Sequence, residues 1–254
     1  MRLTLIRHAT LLVEMAGRRL MVDPMLDSAG ARGPVRGTPN ERPNPLVDLP
    51  MSAADAAAGV EAVLLSHTHV DHLDAAGVTW VPPGVPWYCQ PEDVADIAPA
   101  GLDDLRPVPM GGAVEWEGIR IARTGGRHGR EDAMVQGLGP VSGFVLSAPG
   151  EPTLYVAGDT VWCDEVAAAI AAHSPDWIVV NAGGARFLQG GTITMEASDV
   201  IATAEAARRA RLVAVHMEAI NHCLESRAEL TERVGAAGLS DRVLIPGDGE
   251  ALEA

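Results

Sequence analysis

Eight consecutive residues, His67-Thr-His69-Val-Asp71-His72-Leu-Asp74, carry three imidazoles and two carboxylates directly after the run Ala62-Val-Leu-Leu-Ser66. Neutral nitrogen and anionic oxygen donors at that density are metal-ligand chemistry. His67 and His69, two positions apart, can point the same way from an extended turn, while Asp71 and His72 lie past the bend and can serve a second ion nearby. A closed structural zinc site would ordinarily add paired cysteines, but Cys89, Cys163 and Cys223 stand singly with no CxxC spacing.

One loop cannot complete two ion sites, so further donors are expected where other strands run out into loops. His128 sits in the glycine-rich stretch Gly125-Gly-Arg-His-Gly129, where backbone can approach an ion closely. Asp159 follows the apolar run Thr153 to Ala157, and His216 ends the run Leu212 to Val215. The expected arrangement has His67, His69 and His128 on one ion, Asp71, His72 and His216 on the other, and Asp159 bridging. His222, six residues past His216, competes with it for the last position; His216 is preferred because it abuts the strand, which leaves His222 for substrate contact or proton transfer. Arg186, in the loop Gly183 to Gly190, is a candidate for holding a substrate carboxylate or phosphate.

In order and spacing these residues resemble the metallo-β-lactamase superfamily, with its HxHxDH loop, a later histidine, a bridging aspartate and a final histidine. The likeness runs over nearly the whole chain and includes Gly17-Arg-Arg-Leu-Met-Val-Asp-Pro24, similar to the strand and Asp-Pro turn ahead of the metal loop. It implies an α/β fold, a four-layer αβ/βα sandwich with the metals at one edge between two sheets. Asp74 extends the motif to the form found in the branch with L-ascorbate-6-phosphate lactonase and N-acyl-phosphatidylethanolamine phospholipase D; as a residue it can equally cap the following helix.

The elements that must position these groups are legible in outline. Strand-type runs fall at Leu3 to Arg7, Leu11 to Glu14, Leu20 to Val22, Ala62 to Ser66, Ile119 to Arg123, Phe144 to Ser147, Thr153 to Ala157, Trp177 to Asn181, Leu212 to Val215 and Val243 to Ile245. Helical patterns cover Asp164 to His173, Met195 to Arg209 and Ser226 to Ala237. Strands early and alternation later predict layered sheets with helices outside, in one domain over 1–254. Two irregular stretches remain, Ser28 to Pro50 and Gly125 to Gly143; the first reads as a lid or as an insertion without function.

Composition removes several function classes. The net charge is −15 and all 19 basic residues are arginine, so Schiff-base, Ser-Lys and P-loop chemistry have no lysine to use. Clustered cations for nucleic acid are missing as well, no segment is apolar enough to span a membrane, and the N-terminus has no secretory pattern. A cytoplasmic protein with a small-molecule substrate is expected. The hexapeptide Leu5-Ile-Arg-His-Ala-Thr10 imitates the phosphohistidine loop of histidine phosphatases, with Ala9 in place of its usual glycine; it is set aside for want of context.

The reading is therefore a metal-dependent hydrolase that uses a metal-bridged hydroxide on a small ester, lactone or phosphodiester, with Asp71 or His222 relaying a proton. The cofactor is two divalent ions, zinc first, with manganese or iron compatible with the same donors. The alternatives are a mononuclear iron sulfur-transfer dioxygenase or an RNA-processing nuclease on the same fold.

Overall fold

The computed structural model describes residues 1–254. Its strands form two seven-stranded sheets built on one plan. In the first, β1 (Arg2–Arg7), β2 (Thr10–Met15) and β3 (Arg18–Val22) run antiparallel, and β4 (Ala62–Leu64), β5 (Trp87–Cys89) and β6 (Leu105–Pro107) continue in parallel. In the second, β7 (Ala113–Trp116), β8 (Ile119–Thr124), β9 (Gly143–Ser147) and β10 (Leu154–Val156) are antiparallel. From there β11 (Trp177–Asn181), β12 (Arg211–Val215) and β13 (Val243–Leu244) run parallel. The C-terminal β14 (Ala251–Glu253) returns to pair with β1 in the first sheet.

The alternation of side chains along each strand decides the layering. Leu3, Leu5, Leu11, Val13, Leu20, Val22 and Leu64 of the first sheet face Ile119, Ile121, Phe144, Leu146, Leu154, Val179 and Val213 of the second, in one 22-residue core. The intervening residues point outward. Ile6, Leu12, Met21 and Val63 pack under α1 (Ala53–Ala57) and its neighbours. Val145, Tyr155, Ile178, Val180, Leu212 and Ala214 are covered by α5 (Asp164–His173), α6 (Ala197–Ala206) and α7 (Arg227–Ala236). Both sheets are thus buried on two faces, which is why their strands read as near-continuous apolar runs. The expected four-layer αβ/βα sandwich is the architecture found. No helix is long and apolar enough to cross a membrane.

One helix absorbs a residue that the sequence left open. Asp74 caps α2 (Ala75–Trp80), its Oδ1 accepting from the Gly77 N–H at 2.7 Å, while its Oδ2 accepts from the Asp27 N–H at 2.8 Å. Helix α2 seats directly on the Asp23-Pro24 turn: a Cβ at Gly77 would lie 1.9 Å from the Pro24 carbonyl oxygen. The remaining short helices are α3 (Val94–Ile97) and α4 (Asp132–Leu138), the latter inside the second irregular stretch.

Candidate metal centre

Every candidate donor leaves the carboxyl end of a strand. His8 follows β1, Asp23 follows β3, the His67 to His72 loop follows β4, His128 follows β8, Asp159 follows β10 and His216 follows β12. These ends meet at one edge between the sheets. The turn after β4 closes locally, the His72 and Leu73 N–H groups both donating to the His69 carbonyl, which brings His72 back beside His67.

The structure gathers all seven sequence-predicted donors. His67, His69 and His128 form one set of mutually close ligand atoms, and Asp71, His72 and His216 fall in a second, which also contains His8. Asp159 reaches into both: Oδ2 lies 3.2 Å from His72 Nε2, 3.7 Å from His128 Nε2 and 4.0 Å from His67 Nε2, and Oδ1 lies 3.3 Å from His216 Nε2. Donors around a tetrahedral zinc at ordinary bond lengths are about 3.3 Å apart. The Asp159 spacings to His72 and His216 match that edge, and those to His128 and His67 are somewhat longer.

Hydrogen bonds on the far side of each ring fix which nitrogen carries a lone pair. His128 Nδ1 donates to the Ile193 carbonyl at 2.9 Å and His72 Nδ1 to Asp23 Oδ2 at 2.8 Å, so Nε2 is the atom each ring can offer an ion. Ser66 Oγ donates to Asp23 and accepts from His67 Nδ1 at 3.0 Å, which frees His67 Nε2. His69 Nε2 donates to the Leu138 carbonyl at 3.1 Å, which frees Nδ1. The freed His67 Nε2 and His69 Nδ1 then face each other at 2.9 Å, lone pair toward lone pair. Such a contact is repulsive unless a cation lies between them, and the donor set fits a divalent metal on that ground.

Charge agrees with that fit. Burial disfavours an ionised Asp159, yet the neighbouring His216 and His72 outweigh it and hold the carboxyl well below its usual range; Asp71 is held down in the same way by His216 and His8. Burial keeps His67 neutral and pushes His128 down to about 4. For His72 burial also opposes charge, but Asp159 and Asp23 prevail and raise it well above the ordinary value. Ionised Asp159 and Asp71 and neutral His67 and His128 are the protonation states that metal binding requires, and at His72 an ion must displace a proton.

Beside the donors lies a cavity of about 260 Å³. Val35, Val70, Leu138, Phe187 and Ile193 form its apolar wall, and Thr68, His69, Asp71, His128, Asp159 and His222 supply the polar side. His222 belongs to this wall rather than to the donor sets; its ring stacks on Phe187 and its Nδ1 is buried without a partner. Arg186 is not brought to the cavity. The short bridge between Arg186 and Thr192 turns neighbouring residues to opposite sides, so Phe187 faces the cavity while Arg186 lines a separate groove with Glu196, Glu225, Glu229, Glu232 and Arg233.

Three groups went unread as chemistry in the sequence. Asp23, noted only as part of an Asp-Pro turn, is buried and orients both His72 and Ser66. His8 is fully buried among the second donor set. Its neighbour Arg7 spends its guanidinium on the carbonyls of Val47, Met25 and Asp27, so no phosphate-binding loop exists there. The third is Asn221, which pins the 28–50 stretch: its amide accepts from the Val35 N–H and Asn44 Nδ2 and donates to Thr38 Oγ1 and the Asn40 carbonyl. That network holds Val35 against the cavity. We expect Asn221→Ala to cost about 1–3 kcal/mol by stranding buried partners, read as a lower urea midpoint together with new protease cleavage between residues 28 and 50.

Comparison with known proteins gives a consistent result. A family model described as the β-lactamase superfamily domain matches residues 18–217. The chain is 36% identical over 253 residues to the UPF0173 protein YddR of Bacillus subtilis, covering 99% of each. It is 26% identical to a UPF0173 metal-dependent hydrolase of Azorhizobium caulinodans, covering 100% of each. Among solved structures, an isothiocyanate hydrolase from Delia radicum gut bacteria superposes with a TM-score of 0.93 at 37% identity, covering 100% of this chain and 99% of that one. A possible metal-dependent hydrolase from Veillonella parvula superposes at 0.94 with 30% identity, covering 99% and 98%.

Proposed function

We propose, for a chain that belongs to the metallo-β-lactamase superfamily and within it to the UPF0173 metal-dependent hydrolases, that it hydrolyses a small uncharged electrophile bearing an apolar group, using two divalent ions, zinc first. The observation that carries this reading is the cavity beside the donors: five of its eleven lining residues are hydrophobic and none is arginine. A site built for a phosphodiester or a carboxylate ordinarily adds a guanidinium clamp, and Arg186 lies elsewhere. A neutral ester or lactone fits the same wall. The isothiocyanate hydrolase similar to this chain puts isothiocyanates, R–N=C=S, ahead of them, because such a molecule is neutral, compact and electrophilic at its central carbon. The branch resemblance through Asp74 lends no substrate, since that carboxylate is engaged in capping α2.

Ions held by His67, His69 and His128, by Asp71, His72 and His216, and by Asp159 between them would lower the pKa of water toward neutrality and stabilise negative charge developing on the substrate. The chain's own residues do the rest. Val35, Phe187 and Ile193 hold the apolar R group and exclude bulk water. His222, at the cavity wall with an unpartnered Nδ1, delivers a proton to the departing nitrogen or oxygen, while Asp71, ionised among the donors, serves to hold an ion. For an isothiocyanate the sum is water in, and a primary amine and carbonyl sulfide out.

The other readings are weaker. Several of the similar proteins, at 26–37% identity, carry hydrolase names, and a net charge of −15 opposes binding of structured RNA. The test is a screen of benzyl and allyl isothiocyanates, aryl esters, lactones and bis(p-nitrophenyl) phosphate, with metal content measured on the same sample. We expect isothiocyanates or neutral esters to lead by at least about tenfold, which is about 1.4 kcal/mol of transition-state preference. Activity should vanish on chelation and return with zinc. A preference for the phosphodiester, or full activity in the chelated protein, would refute the reading.

A further inference from the structure

We propose that His8 is a positioning residue of the second donor set, holding the Asp71 carboxylate in place through its Nε2–H. The inference rests on the metal-site reading above and goes beyond the seven donors named there. His8 is fully buried, and its Nε2 lies 3.3 Å from Asp71 Oδ2. Its ring packs on that of His216 with centroids 3.5 Å apart. The one hydrogen-bond partner of Nε2 is an ionised oxygen, and Nδ1 is buried without a partner. A lone pair on Nε2 would oppose the lone pairs of that oxygen and leave a bare N–H at the other end of the ring. The proton therefore belongs on Nε2, donated to Asp71, and the atom left unsatisfied is an acceptor. With its lone pair aimed away, His8 is not itself a donor to an ion.

The backbone is arranged to keep the ring there. His8 and His216 both have left-handed φ, +60° and +66°, and the His216 N–H donates to the His8 carbonyl at 2.9 Å. Two residues in a costly conformation lock to each other across the seam between the sheets. His8 is then to Asp71 what Asp23 is to His72 and the Ile193 carbonyl is to His128, an outer contact that orients a donor. Loss of such a contact commonly weakens metal affinity by about 10- to 100-fold.

The experiment is competitive zinc titration against a chromophoric chelator, and the cobalt(II) absorption spectrum, for the wild type, His8→Asn and His8→Gln. Asparagine tolerates left-handed φ but is too short to reach Asp71, and should weaken one of two bound ions by about 10- to 100-fold while sparing the other. Glutamine restores an N–H near the Nε2 position and should recover most of that loss. Long-range 1H–15N spectra of the wild-type, zinc-loaded protein should show His8 protonated at Nε2, a readout that needs no variant to fold. Wild-type affinity for both ions in His8→Asn, a His8→Gln variant as weak as His8→Asn, or an unprotonated Nε2 would each overturn the proposal. A wild type that binds no ion would instead overturn the metal reading on which it rests.

Discussion

Asp159→Ala is expected to lower turnover by about a thousandfold or more, corresponding to about 4 kcal/mol of transition-state stabilisation, while the chain stays folded. Asp159 is the carboxylate that reaches both donor sets, with Oδ2 near His67, His72 and His128 and Oδ1 near His216. Alanine removes the negative charge that two cations at this spacing would share, and affinity for both should fall. The substitution also strands the Asn181 side-chain amide, which donates to Asp159 Oδ1 at 2.6 Å. Asp159→Asn separates the two effects, because an amide oxygen can still accept from Asn181 but brings no charge. Both variants should lose turnover and bound metal, and the asparagine should keep more of the unfolding midpoint. The checks are kcat/KM at saturating zinc, metal content after dialysis and a urea melt. Wild-type turnover in either variant would remove Asp159 from the centre of the site.

The contrast between Asp159 and the residues missed in the sequence shows where reading a chain succeeds. His67, His69, Asp71 and His72 sit within six positions, so their type and spacing carry the chemistry by themselves. Asp159 and His216 are isolated but each follows an apolar run, His128 sits in a glycine-rich turn after a strand, and strand ends converge at a sheet edge. His8 follows a strand too, yet its role depends on stacking against His216, more than two hundred residues away, and no local pattern encodes that. Asn221 is similar, a polar residue whose partners all lie in the 28–50 stretch. Arg186 illustrates the opposite case. Its glycine-rich setting suggests an anion site, but the face it occupies is set by the bridge to Thr192.

Secondary structure divides along a related line. Strands β11 and β12, of five residues each, and helices α5, α6 and α7, of ten each, are long enough for periodicity to show in the sequence, although the patterns read for α6 and α7, Met195 to Arg209 and Ser226 to Ala237, overrun the helices formed. Strands β5 and β6 have three residues each and α3 has four, too few for either period to register. The run Ala62 to Ser66 reads as strand throughout, but the strand ends at Leu64, with one last bond from the Leu65 N–H to the Tyr88 carbonyl. Ser66 leaves the ladder because its N–H and Oγ are both taken by Asp23, at 2.7 and 2.8 Å. The shortened strand is what swings His67 into the site.

That pull makes Asp23 the second position where a small change should have a large effect. Asp23→Asn conserves volume and an acceptor for the Ser66 N–H, but the atom presented to His72 Nδ1 becomes, in the favoured orientation, an N–H instead of a carboxylate oxygen. The proton on His72 must then move to Nε2, which faces Asp159 and His216 at 3.2 Å. A protonated Nε2 cannot bind an ion. The same inversion of a histidine tautomer by an Asp-to-Asn change is known in serine proteases to cost about 10⁴ in turnover, while loss of an ordinary outer contact costs about 10- to 100-fold in affinity. We therefore expect Asp23→Asn to lose affinity for one ion by at least 100-fold, and turnover by about 10³ to 10⁴ at limiting zinc. Excess metal should restore activity only in part, since each ion must displace a proton from His72. Asp23→Glu keeps the charge but pushes it into the turn on which α2 sits, and should be penalised in stability rather than in tautomer. Long-range 1H–15N spectra of His72 decide the matter: an Nε2–H resonance appearing in Asp23→Asn is the expected signature. An unchanged tautomer with turnover still lost would mean that Asp23 acts through the fold of the turn instead of through the ring.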